Sequence, residues 1–209
     1  MRILVLGASG GLGRAITAEA LARGHAVRAQ SRNADRAPRR AGVEPAEVEP
    51  TDFAALARHV EGCDAVVVAL GVDTARPTTL FSEATRALIP AMERAGVRRL
   101  IAVTGVGAGE TRGHGGWFYD RIVFPLFTRN RYADKERQEA LIRASGLDWT
   151  ILRPAAFAAK PGDAPFEAHG TVAPDLVLRS VTREEVARFA LDALEDGGWI
   201  GETPFIGRR

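Results

Sequence analysis

Apolar residues follow two rhythms along this chain. Short unbroken runs (Ile3-Leu4-Val5-Leu6, Ala65-Val66-Val67-Val68 and Leu100-Ile101-Ala102-Val103) have no polar face. Runs of that length predict strands buried on both sides, a property of parallel sheets covered by helices. Between them, apolar positions recur at three and four. Residues 14–23 predict a helix that buries Ala15, Ile16, Ala20 and Leu21, with Gly24 closing it. Residues 79–95 give the clearest helix, with Ala84, Ala87, Leu88, Ala91, Met92 and Ala95 on one side and Gly96 as its stop. Residues 132–145 predict another. Thr182-Arg-Glu-Glu185 has the capping-box pattern ahead of a last helix.

The remaining strands are expected at 26–30, 47–49, 148–153 and 203–206. Residues 36–46 read as surface loop, since Pro38, Gly42 and Pro45 interrupt any period. Strands alternating with helices, without internal repeats, predict an α/β fold: a doubly wound parallel sheet of Rossmann-like architecture. The chain is expected to form one such domain over residues 1–209. Short substrate-side elements would lie at roughly 107–130 and 155–209.

Ligands of such sheets bind outside the carboxyl ends of the strands, and chemistry concentrates there. The first strand runs into Gly7-Ala-Ser9-Gly10-Gly11-Leu12-Gly13, with glycines three apart and a helix following. The glycines turn the chain, admit a pyrophosphate to the backbone and let helix and sheet approach, while the helix N-terminus faces the phosphates. The second strand ends in Gln30-Ser31-Arg32. An acid there would bind the ribose 2′-hydroxyl. Its absence, with Arg32 present, points to the 2′-phosphate of NADP over NAD. Asp52 and Phe53, after the third strand, either face the adenine or simply begin a helix with Asp52 as its cap. Ala69, Leu70 and Gly71 leave the fourth strand and would line the same cleft.

Composition excludes more than it assigns. In 209 residues, 46% hydrophobic and 26% charged, the net charge is only +2, so nothing argues for nucleic acid. The single Cys63 precludes an internal disulfide. His25, His59, His114 and His169 lack metal-ligand spacing, so no metal is expected. No apolar run reaches the ~20 residues of a membrane helix; no leader is expected ahead of the first strand, and a cytoplasmic location is expected. Trp117 to Phe127 is a dense aromatic-aliphatic stretch, readable as substrate wall, dimer surface or core.

Gly7 to Gly13, Ser31-Arg32-Asn33, Thr104-Gly105, Lys135, Ser145-Gly-Leu-Asp-Trp-Thr-Ile-Leu-Arg-Pro154 and Val181-Thr-Arg-Glu-Glu-Val-Ala187 occur in one order. Together they resemble the atypical short-chain dehydrogenase/reductases, and among them the NAD(P)H-binding group that includes flavin reductase/biliverdin-IXβ reductase. The resemblance implies Lys135 as a ribose contact, with Pro154 and Phe157 near the nicotinamide. It also exposes a departure. Typical members carry Tyr-x-x-x-Lys and a serine on the fifth strand, whereas here Tyr132 and Lys135 are three apart and Thr104 stands near the serine's place. Lys135, Thr104 and Tyr132 are therefore the catalytic candidates, with Tyr132 the weakest as a proton donor.

A substrate needing no donor fits that set: a small planar conjugated acceptor of flavin, quinone or tetrapyrrole type, reduced by NADPH. The expected protein is a monomer or homodimer acting on a small molecule. Two alternatives stay open: an NADP(H)-sensing regulator working through a protein partner, and a reductase or epimerase of a carbonyl substrate. The epimerase has little chain left for a sugar-binding domain.

Overall fold

The computed structural model describes residues 1–36, 38, 40–72, 76–117, 120–122 and 129–209. Eight strands are present among them: β1 (Arg2–Leu6), β2 (Ala26–Ser31), β3 (Val43–Glu47), β4 (Ala65–Val68), β5 (Arg99–Val103), β6 (Asp148–Pro154), β7 (Glu167–His169) and β8 (Phe205–Gly207). They lie side by side in the order β3-β2-β1-β4-β5-β6-β8-β7, all parallel except the β7–β8 pair. The helices are α1 (Gly11–Ala22), α2 (Phe53–Val60), α3 (Leu80–Ala95), α4 (Arg129–Arg143) and α5 (Arg183–Glu195). This is the doubly wound, Rossmann-like α/β fold expected from the pattern.

The two-residue period of a strand explains why the apolar runs are unbroken. Ile3 and Val5 of β1 pack with Ile16 and Ala20 of α1 and with Val186 and Ala190 of α5. Leu4 and Leu6 face the other way, against Leu56 of α2 and Leu88 and Met92 of α3. Both faces of the central strands are thus core. Of the residues expected to be buried in α1, Ile16 and Ala20 are fully so, while Ala15 and Leu21 sit at its margin.

Three expectations about elements need correction. The third strand is Val43–Glu47 and not 47–49, so the last four residues of the supposed loop are sheet. It is an edge strand, which tolerates Pro45 because a proline there costs no interior ladder bond. Helix α1 starts at Gly11, earlier than residue 14, because Arg14 N–H already bonds Gly10 O and the glycines themselves form the first turn. Strand β7 was not foreseen; it closes the far edge against β8.

One interhelical contact fixes the site's geometry. Thr79 precedes α3 without a side-chain cap. Asp134 of α4 does that work, its fully buried carboxylate accepting from Phe81 N (2.8 Å), Ser82 N (3.4 Å) and Ser82 Oγ (2.6 Å). An anion at a helix N-terminus satisfies orphan donors and meets the helix dipole favourably. Its reach across sets the rotation of α4 and hence where Tyr132 and Lys135 point. No helix among the described residues is long and apolar enough to cross a membrane.

Candidate cofactor cleft and active site

The carboxyl ends of β1, β2, β4, β5 and β6 open into a cleft of about 520 Å³. Its floor is the glycine turn. Gly7 has φ +83°, and a Cβ there would stand 2.8 Å from Ala69 O, so only glycine lets β1 turn beside the exit of β4. At Gly13 a Cβ would run into the Gly7 carbonyl, so this glycine serves the close packing of α1 on the turn. Gly10 differs: its Cβ would meet nothing nearer than Gly7 O at 3.3 Å, and the residue borders the open cleft. Helix α1 has no side-chain N-cap and no acid in its first turn, which leaves its N–H donors available to an anion.

Gln30 holds this turn in shape. Its Oε1 accepts from Gly7 N at 2.8 Å, and its Nε2 donates to Val48 O at 2.6 Å, tying β1 to the end of β3. Ser31 is buried beside it, with Oγ accepting from Asn33 N. Arg32 follows, exposed on the cleft and without an ion-pair partner among the described residues. Arg14 draws Arg36 to the same end by donating to Ser9 O (2.9 Å) and Arg36 O (3.1 Å).

Five cations line the cleft: Arg32, Arg36, Arg131, Lys135 and Arg183. No carboxylate lines it among the described residues. A cleft so charged concentrates anions, and together with the glycine cradle it fits a dinucleotide. Arg183, the first residue of α5, lies across Gly11, where a Cβ would come 2.9 Å from its Nε. Its guanidinium also stacks 4.9 Å from the Phe157 ring. It can therefore reach a pyrophosphate held at the start of α1, a role its place in a capping box does not disclose.

Most of the expected site residues meet here. Gly7, Ser9, Gly10, Leu12, Ser31, Arg32, Ala69, Leu70, Gly71, Thr104, Tyr132, Lys135, Pro154 and Phe157 line the cleft. Gly11 and Gly13 act from beneath it, as described. Asp52 and Phe53 do not reach it. Asp52 caps α2, accepting from Ala55 N at 3.0 Å, and Phe53 faces a separate groove between α2 and α3. Pro50 is the residue that this side contributes. Of the aromatic stretch, Trp117 is 71% exposed; Phe118, Tyr119 and 123–127 lie outside the described residues.

The catalytic candidates stand together at the β5 end. Lys135 is only 5% exposed; its Nζ donates to Val103 O at 2.8 Å and lies 4.2 Å over the Phe81 ring. Burial, with Arg131 adding repulsion, brings its pKa down to about 7 against the pull of Glu139 and Asp134. Thr104 donates its hydroxyl proton to Glu139 Oε1 at 2.7 Å. Glu139 is itself clamped by Arg153 through Nε (3.2 Å) and Nη2 (2.6 Å). Tyr132 presses its hydroxyl against Gly105, where φ is +142° and a Cβ would stand 2.5 Å from Oη. Among the described residues there is no cluster of metal ligands.

Comparison with known proteins identifies the family and the fold. The NAD(P)H-binding family profile matches residues 7–197. The uncharacterized sugar epimerase YhfK of Bacillus subtilis is 28% identical over 210 residues, spanning 94% of this chain and 89% of its own. YwnB, an uncharacterized protein of the same organism, is 34% identical over 164 residues, 75% and 73% of the two chains. A Veillonella parvula short-chain dehydrogenase/reductase solved with NADP shares the fold at TM-score 0.80 and 19% identity, covering 99% of this chain and 94% of that one. So does ChuY, an anaerobillin reductase from Escherichia coli O157:H7, at 0.80 and 22%, covering 100% and 97%. The chain belongs to the NAD(P)H-binding family.

Proposed function

We propose that the protein is an NADPH-dependent reductase of a small planar conjugated acceptor, of flavin, quinone or tetrapyrrole type. The observation that carries this reading is where the cleft's protons are directed. Thr104 gives its hydroxyl proton to Glu139, and Lys135 gives one N–H to Val103 O, both part of the framework. Tyr132 is wedged against Gly105. A carbonyl becoming an alkoxide needs a donor within hydrogen-bond reach. A delocalised acceptor does not, since it can spread the incoming charge and take its proton from water. The reductase activity named for one structural neighbour is in keeping with this class of chemistry.

The bound nicotinamide supplies the hydride; the protein supplies position and field. The α1 N-terminus, the turn from Gly7 and Arg183 would hold the pyrophosphate, with Arg32 and Arg36 on the 2′-phosphate. Lys135 would hold the nicotinamide ribose, and Pro154 and Phe157 would flank the ring. Arg32→Ala is expected to narrow the preference for NADPH over NADH by about tenfold to a hundredfold, as a lost charge-assisted phosphate contact of about 1.5–3 kcal/mol requires. Calorimetry finding equal NADPH and NADH affinities in the parent protein would remove the assignment.

Tyr132→Phe tests the donor-free step. Reduction of FMN or a quinone should stay within about threefold, against the 10²–10⁴-fold that general-acid catalysis contributes. A hundredfold loss with cofactor affinity intact would instead favour a reductase or epimerase of a carbonyl substrate. Tight NADPH binding with no turnover of any acceptor would favour a sensor.

A further inference from the structure

Among the described residues, Arg131 is the cleft cation to which the proposed dinucleotide placement gives no contact. Arg32 and Arg36 stand beyond β2, and Arg183 stands over the α1 N-terminus. Arg131 lies on α4 next to Tyr132, at the β5 end of the cleft. β2 and β5 are three strand spacings apart in the sheet, about 14 Å, so Arg131 faces neither the 2′-phosphate nor the pyrophosphate. Its Nε is buried with no hydrogen-bond partner, and it has no ion pair among the described residues. The acids of its own helix are all engaged. Asp134 caps α3, Glu136 pairs with Arg112 at 2.5 Å, and Glu139 is held by Arg153 and Thr104. Its neighbour one turn on is Lys135, another cation. Buried guanidinium N–H groups are ordinarily paired, and here the carboxylates within reach are already held by other donors.

We propose that Arg131 is an oxyanion subsite for the hydride acceptor, so that the substrate is a planar conjugated molecule carrying a carboxylate or phosphate. This rests on the reductase reading. The planar fork of arginine suits either group, which it can grip through two parallel hydrogen bonds. The conjugated ring would then lie against the nicotinamide, with its anionic substituent directed to the start of α4. Specificity would come from that charge, because the rest of the wall (Leu80, Val106, Ala156, Phe157) is apolar and discriminates poorly among flat rings.

Matched pairs differing only in charge test this. FMN against riboflavin isolates a phosphate; a carboxyalkyl naphthoquinone against its methyl ester isolates a carboxylate. With NADPH as donor, kcat/KM should favour the charged member of at least one pair by about tenfold or more. Which pair responds identifies the group. Arg131→Met should bring that ratio to within about twofold of one, and Arg131→Lys should leave an intermediate value. Should Arg131→Met fail to fold by circular dichroism, the lysine variant and the parent ratios decide. If none of the four compounds oxidises NADPH, the reductase reading fails for flavins and quinones, and calorimetric titration of the same pairs into protein saturated with NADP⁺ still tests the subsite. Tighter binding of a charged member, lost in Arg131→Met, supports it. Equal behaviour of both pairs in the parent protein, or a preference that survives Arg131→Met, overturns it.

Discussion

Gly10→Val is expected to weaken NADPH binding by more than a hundredfold while leaving the far-ultraviolet circular dichroism unchanged. Gly10 has φ −74° and ψ 163°, a conformation open to any residue, so no glycine-only backbone is lost. A Cβ there meets only Gly7 O at 3.3 Å, which a shift of a few tenths of an ångström relieves. The two methyl groups would then occupy space over the α1 N-terminus, where the backbone must come within hydrogen-bond distance of a pyrophosphate. Gly13→Ala provides the contrast. Its Cβ would clash with the backbone carbonyl of Gly7, so that variant should lose the fold and binding together. Calorimetric affinity and thermal melts of the two variants separate the roles. Parent-strength binding in Gly10→Val would mean that the dinucleotide lies elsewhere.

That two neighbouring glycines have separate roles is legible in the sequence only as spacing. Spacing was nevertheless enough to locate the turn, Arg32 and the strand exits, because each sits at a fixed offset from an unbroken apolar run. The central strands were readable for the same reason, since burial on both faces leaves no polar position to confuse the period. Strand β3 was not. It buries only Ala46, exposes Glu44, Pro45 and Glu47, and exists because β2 offers it a ladder.

Helix α4 is the deeper failure of pattern. It buries Asp134, Lys135, Gln138 and Glu139 as well as Tyr132 and Ile142, so hydrophobic periodicity cannot say which of its faces is inside. The resemblance to short-chain dehydrogenases singled out Tyr132 and Lys135. Arg131, the Asp134 cap and the Glu139 clamp on Thr104 depend on partners 14 to 53 residues distant or on a missing partner, and local sequence records neither. Gln30 and Arg183 escaped notice likewise: one read as an absent acid, the other as part of a capping box.

Lys135→Met should strengthen the fold and impair the enzyme. A buried ammonium is opposed by the loss of its hydration, and Lys135 holds its proton only up to about pH 7, against an ordinary value of 10.5. Between those values the unfolded chain carries a proton that the folded chain lacks, so stability rises with pH at about 1.4 kcal/mol per unit. The contribution is complete above pH 10.5 and gone below about 7, where the folded protein bears the full penalty of about 4–5 kcal/mol. Methionine fills similar volume without that penalty. It forfeits the Nζ bond to Val103 O and the Phe81 contact, together about 1–2 kcal/mol. The variant should therefore melt about 5–10 °C above the parent at pH 6. The advantage should shrink steadily toward pH 10. NADPH affinity should fall about tenfold with the ribose contact, more than the hydride step slows at saturating cofactor. A melting difference that ignores pH would show that Lys135 is not held against its burial, and unchanged NADPH affinity would take it out of the cofactor site.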